Sequence, residues 1–286
     1  MALMLKKFFF TLILIVFSHT MFQTFCFAAS VQTVVVHSGS MNKDINTLII
    51  APDYSNQKSA VVFLLHGVGG NHNSWLEISP ELKFWADQFN VVFVCPDGEN
   101  YLWLDSPIHA SIRYETFITQ ELITYIDTSY GTFRENKKRA ICGYDTGGNG
   151  ALYIAAKYPA VFNSAGSTSG FFDLVHPKWV PLDISPKKDL NVSGVLGKKS
   201  KYRAERTMLR QAKMLKAANV NLILDCGEDD DTDAPYYTNK MHKILLKSKV
   251  AHTFVTSEGE HNYAYWRKSI SHQILFFVNY FNGITD

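Results

Sequence analysis

Three short, largely apolar runs constrain this chain most: AVVFLL (60–65), VVFVC (91–95) and NLIL (221–224). An apolar run with no polar alternation is the pattern of a strand buried on both faces. Each is followed by a stretch with helical spacing, so strands and helices alternate. Alternation of this kind predicts a mostly parallel central sheet with helices on both faces, in one α/β domain. VQTVVVHS (31–38) and DINTLIIAP (44–52) read instead as an antiparallel opening pair. Helices are expected over 79–90, with Ser79 as N-cap and Pro80 in the first turn, and over 114–130. Further helices are expected after RAICG (139–143), over 205–219 and 239–249, and at the close over 269–281.

The first residues read differently. Lys6 and Lys7 precede FFFTLILIVF, and CFAAS offers small residues for cleavage near Ala28 or Ala29. Residues 1–29 are therefore expected to be a signal peptide, and 30–286 the folded domain, secreted or periplasmic. A transmembrane anchor is the alternative, but the apolar core falls short of the ~20 residues a span needs. Cys95, Cys142 and Cys226 each end an expected strand and read as buried small hydrophobes. A formal charge of +2 in 286 residues argues against nucleic acid and against an acidic surface as partner. No metal or cofactor motif is present, and no membrane contact is expected once the leader is removed. Residues 171–200 show no periodicity and read as an irregular insertion near the site.

GYDTGGNG (143–150) follows the strand RAIC and runs into ALYIAAKYP. This is the setting of a nucleophile elbow, the sharp strand-to-helix turn that presents a serine in G-x-S-x-G. Here Asp145 holds the central position. HGVGGNH (66–72) supplies glycines that let backbone approach a ligand closely. An oxyanion hole is expected from the N–H of Gly67 or Val68 together with that of Thr146. His66 reads as structural. DCGEDDDTD (225–233) follows a later strand and offers Asp230 as the acid that orients a histidine, with Asp229 and Asp231 as competitors. His261 in EGEHNYAYW (258–266) is the candidate general base. The order elbow, acid, histidine is that of α/β-hydrolases.

LLHGVGGNHNSW, YETFITQELITYID, ICGYDTGGNGALYIAAKYP, SAGSTSGFFD, LDCGEDD and GEHNYAYW together resemble the putative-esterase family. That family includes S-formylglutathione hydrolases, mycolyltransferases and feruloyl and acetylxylan esterases. The resemblance covers roughly residues 45 to 280 and implies an α/β-hydrolase fold. It places the acid at Asp230, the base at His261 and the nucleophile at 145, where this chain departs from the family's serine. It further implies a small-molecule or polysaccharide-linked ester as substrate. Trp103, Trp179 and Trp266 can stack on such a group, as can Trp75 and Tyr101; core or lid packing is the plainer role for each.

The departure changes the chemistry. A serine alkoxide attacking an ester carbonyl gives an ester of similar energy, whereas a carboxylate gives a mixed anhydride of much higher energy. Carboxylates serve well in displacement at saturated carbon. Three readings follow: an aspartate nucleophile acting at saturated carbon, as in dehalogenases and epoxide hydrolases; Asp145 and His261 acting on water directly; or a relative, natural or nucleophile-replaced, that binds esters without turning them over. With Asp145 and Asp230 both near one imidazole, the pKa of His261 is expected to rise.

Overall fold

A computed structural model describes residues 29–53, 57–175 and 192–284. The expected leader and Trp179 lie outside the described residues, as does the middle of the 171–200 insertion.

The apolar runs become the centre of an eight-stranded sheet. Its strands are β1 (Ser30–Ser38), β2 (Lys43–Ala51), β3 (Ala60–Leu65), β4 (Val91–Pro96), β5 (Arg139–Tyr144), β6 (Ser164–Thr168), β7 (Asn221–Gly227) and β8 (Thr253–Ser257). Their order across the sheet is β1-β2-β4-β3-β5-β6-β7-β8. β1 and β2 pair antiparallel, β2 joins β4 antiparallel, and every later pairing is parallel. The sequence predicts both the antiparallel opening and the parallel remainder.

The helices are α1 (Ser74–Ile78), α2 (Leu82–Phe89), α3 (Tyr114–Thr116), α4 (Ile123–Ser129), α5 (Thr146–Lys157), α6 (Val192–Leu196), α7 (Ser200–Ala204), α8 (Ala212–Ala218), α9 (Ala234–Ser248) and α10 (Tyr263–Phe281). A π-helical stretch, Phe117–Leu122, joins α3 to α4 into the single helix expected there. The continuous apolar strands divide by their two-residue period between two cores. Val61, Phe63 and Leu65 of β3 join Val92 and Val94 on one face, under α5, α8 and α9. Val62 and Leu64 join Phe93, Cys95 and Cys142 on the other, under α2 and α10. Each of these side chains contributes about 1.5–3 kcal/mol by leaving water, so the parallel strands are anchored from both sides. The three cysteines are free and buried, as expected of small hydrophobes.

Several helix boundaries differ from the sequence expectation. The second helix starts at Leu82, and Ser79 donates its hydroxyl to Glu81 instead of capping a backbone N–H. The segment 205–219 is not one helix. Thr207 is extended, its Oγ1 accepting from Leu174 N and donating to Arg203 O, and this breaks the run into a 3-10 turn (Met208–Arg210) and α8. α9 begins five residues before the expected start because Pro235 fits a first helical turn. α10 begins six residues early because Asn262 caps it, its side chain accepting from Tyr265 N at 3.1 Å. This last difference bears on function: His261 stands directly before a 19-residue helix.

Candidate active site

β5 ends and α5 begins at Asp145, whose φ of 55° and ψ of −122° hold it in a sharp, strained turn. Small neighbours make the turn possible. A Cβ on Gly147 would lie 2.4 Å from the Leu65 carbonyl oxygen, so only glycine lets α5 start this close to β3. The Asp145 backbone is tied on both sides: its N–H donates to Thr168 O at 3.0 Å, and its carbonyl accepts from Gly148 N and Phe171 N.

The Asp145 side chain is buried, and Oδ2 accepts from the N–H of Val68 at 2.8 Å. The Thr146 N–H also stabilises the carboxylate. Gly67 lies against it, since a Cβ there would be 2.8 Å from Oδ2. Gly67, Val68 and Thr146, from which the sequence predicts an oxyanion hole, all lie at the Asp145 carboxylate, and the Val68 N–H is bonded to Oδ2. Between Gly67 and Val68, the donor is Val68. The other oxygen, Oδ1, has no hydrogen-bond partner among the described residues. Burial pushes the Asp145 carboxyl up to about 7, against the opposing pull of the His261 charge and the two N–H groups.

His261 and Asp230 meet as the sequence predicts. His261 Nδ1 donates to Asp230 Oδ2 at 2.8 Å, which fixes the ring and makes Nε2 the nitrogen whose protonation changes. Asp230 is buried and its other oxygen accepts from both the N–H and hydroxyl of Thr232. Burial alone would raise the Asp230 pKa; the bonds from His261 and Thr232 outweigh it and the pKa falls. Burial likewise opposes the charged form of His261, but Asp230's hydrogen bond and the charges of Asp145, Asp230 and Asp231 raise its pKa. The competitors of Asp230 are placed elsewhere. Asp229 is exposed and ties the two loops together by accepting from Gly259 N at 3.0 Å, and Asp231 is exposed.

The tryptophans correct one expectation. Trp103 is 2% exposed, with its indole N–H donating to the His66 carbonyl at 2.9 Å. Trp266 is buried, stacked on Tyr144 at 4.0 Å and meeting His261 edge-on at 5.0 Å. Trp75 is buried as well. Their faces are covered by protein, so they brace the site and offer no stacking surface for a sugar. His66 is structural, as expected: Nδ1–H donates to Gly67 O at 2.8 Å and Nε2 accepts from Gly98 N at 2.9 Å.

Sequence reading missed the residues beneath the site, Thr168, Asp225 and Gln273. Gln273 Nε2 donates to Thr168 Oγ1 at 2.7 Å and to Asp225 Oδ2 at 2.6 Å. A signal was present: Asp225 is a charged residue continuing the apolar run NLIL. Among the described residues no cluster of three His, Cys, Asp or Glu side chains can hold a metal, and no helix is long and apolar enough to cross a membrane.

Residues 38–277 match the family model described as putative esterase. An acetyl esterase of Caldicellulosiruptor saccharolyticus is 22% identical over 263 residues, covering 85% of this chain and 96% of that protein. Esterase Rv1288 of Mycobacterium tuberculosis is 31% identical over 134 residues, which is 45% of this chain and only 29% of that longer protein. Among solved structures, an S-formylglutathione hydrolase from Agrobacterium tumefaciens superposes with a TM-score of 0.75 at 16% identity, covering 90% of this chain and 97% of that one. This likeness bears on the fold.

Proposed function

The chain belongs to the putative-esterase family, and from that premise we propose that it is a hydrolase which resolves an ester formed on its own Asp145. The observation that carries this reading is the Val68 N–H on Asp145 Oδ2, with Oδ1 unpartnered among the described residues. A carboxylic ester, of the kind named for the acetyl esterase relative, needs its carbonyl oxygen in the oxyanion hole. On this reading that position is taken by Asp145 Oδ2, which accepts from the Val68 N–H. A hole built around the carboxylate of Asp145 is suited to an oxyanion that develops on Asp145 itself.

Oδ1 attacks a saturated carbon bearing a leaving group; the carbon–leaving-group bond breaks and its electron pair departs with the leaving group. The product is an alkyl ester of Asp145. His261, oriented by Asp230, takes a proton from water, and the water oxygen attacks Asp145 Cγ. Negative charge develops on Oδ2, against the N–H groups of Val68 and Thr146. Collapse expels the alkoxide, which takes the proton from His261; Asp145 is left as the acid and gives its remaining proton by way of His261 to solvent, and the carboxylate returns. Substrates of this chemistry are short alkyl halides and epoxides (an epoxide's leaving oxygen stays attached). The basic and apolar N-terminal pattern supports a place outside the cytoplasm.

His261→Gln should form the ester but fail to hydrolyse it. Incubation with a short bromoalkane or epoxide is expected to add the alkyl mass to the peptide carrying Asp145. A second reading is carried by the filled hole and by the rise of the Asp145 carboxyl to about 7, which weakens it as a nucleophile. On that reading the chain binds an ester-like ligand without turnover. Absence of any adduct in His261→Gln, with no product from the unaltered chain, would overturn the first reading in favour of the second.

A further inference from the structure

Asp225 is a buried carboxylate that the chemistry above does not use. It continues the apolar run of β7, where Val or Leu would fill the sheet position without the cost of burying a charged or unpartnered polar group. Oδ1 has no hydrogen-bond partner among the described residues, a cost of about 1–3 kcal/mol. Packing alone does not account for it.

We propose that Asp225, with Thr168 and Gln273, is the positioning node that fixes Asp145, Asp230 and His261 relative to one another. The inference rests on the reading that these three residues form the working site. Each carrier of a site residue converges on the node. Thr168 and Asp225 are opposite each other on β6 and β7. The Thr168 carbonyl accepts the N–H of Asp145 at 3.0 Å, so β6 holds the elbow. Thr168 Oγ1 donates to Asp225 Oδ2 at 3.2 Å and lies 2.6 Å from Ser269 Oγ. β7 leads from Asp225 directly into the loop of Asp230, and the Asp225 carbonyl accepts from Ser169 N at 2.9 Å. Gln273 and Ser269 belong to α10, the helix that His261 precedes. Tyr265, Ser269 and Gln273 are spaced by four residues, which places them along one face of α10, and His261 stands just before its N-cap, Asn262.

The bonds therefore clamp β6, β7 and α10 together a short distance below the site. In a low-dielectric interior such bonds are strong and directional, while apolar contacts alone permit sliding. Sliding of α10 by a fraction of an ångström against β7 would stretch the bond between His261 and Asp230. Burial raises the Asp225 carboxyl to about 6, offset by Ser269, Gln273, Thr168 and Tyr265, so the carboxylate form prevails at neutral pH.

The test uses the full chain carrying either Thr168→Val, which removes only the hydroxyl contacts, or the paired change Asp225→Leu with Gln273→Leu, which replaces both partners by apolar groups and keeps the core filled. Asp225→Asn is the conservative control. The first readout is the proton NMR signal of His261 Nδ1–H and the titration of the ring. Both altered chains should broaden or lose that signal and lower the His261 pKa toward its ordinary value, with Asp225→Asn intermediate. The second readout is turnover in an Asp145→Ser background, where displacement of the base should lower kcat by about 10²-fold with KM little changed. If signal and titration stay as in the parent while only melting temperature shifts, Asp225 is structural and the proposal fails. If the NMR changes occur but no background shows turnover, the positioning stands and the functional reading falls.

Discussion

Asp145 and Asp230 are the same residue type, both buried, both acting on His261, and their pKa values move in opposite directions. Asp230 accepts from His261, twice from Thr232 and at 3.9 Å from the Cys226 thiol, and is held as a carboxylate below its ordinary range. Asp145 is also buried, accepts from Val68 with the Thr146 N–H nearby, and leaves one oxygen unpartnered among the described residues; its carboxyl rises to about 7. Burial penalises both charges; the bonds outweigh it at Asp230 and do not at Asp145. The acid loop is a settled anion site. The elbow is a strained site that holds a costly carboxylate against the Val68 N–H.

The largest test of this contrast replaces the costly partner. Asp145→Ser empties the hole and restores a hydroxyl beside His261, so hydrolysis of short-chain aryl esters is expected to rise by about 10³-fold or more. Adding His261→Ala should abolish the gain, and an absent gain would mean the hole is misaligned for external carbonyls.

Stability gives the next test. The Asp145 carboxyl goes from an ordinary 3.8 to about 7 in the fold. A raised carboxyl favours the protonated folded form, so its contribution is present below 3.8 and is lost as pH rises through 7. At 1.36 kcal/mol per unit, Asp145→Asn should stabilise the protein at pH 8 by on the order of 4 kcal/mol and by little at pH 4, measured by urea unfolding. Asp230→Asn should do the reverse. Its lowered pKa contributes stability above the ordinary 3.8 that disappears as pH falls through the folded value, so the substitution should cost about 1–3 kcal/mol at pH 7 and progressively less in acid. It should also lower the His261 pKa, read by NMR titration. Farthest from the contrast, Trp103→Phe removes the bond to the His66 carbonyl and part of a buried ring under the glycine loop. A loss of about 2 kcal/mol with unchanged His261 titration is expected.

Much of the site was legible because it lies at strand ends. GYDTGGNG after RAIC marked the elbow, and the order of Asp145, Asp230 and His261 marked the dyad. Choosing Asp230 over Asp229 and Asp231 rested on chain pattern; the structure separates them because only Asp230 turns inward beneath His261. Trp103 and Trp266 take the plainer packing role, which the sequence left beside stacking for a related reason. An aromatic residue has the same letter whether its face meets solvent or, as in Trp266, Tyr144. The early start of α10 depended on Asn262 finding Tyr265 N, a local bond that the aromatic-rich HNYAYW disguised.

The sequence by itself determined the sheet, the antiparallel opening and the two-sided burial, because two-residue and 3.6-residue periodicity act locally along the chain. It also put an acid, Asp145, at the centre of a G-x-D-x-G turn between a strand and a helix. Only the tertiary structure decided where that acid's oxygens lie. The Val68 N–H on Oδ2, the orphan Oδ1 and the clamp of Thr168, Asp225 and Gln273 each join residues far apart in the chain. Burial and hydrogen bonding there set the charge of each carboxylate, and no stretch of sequence contains both partners.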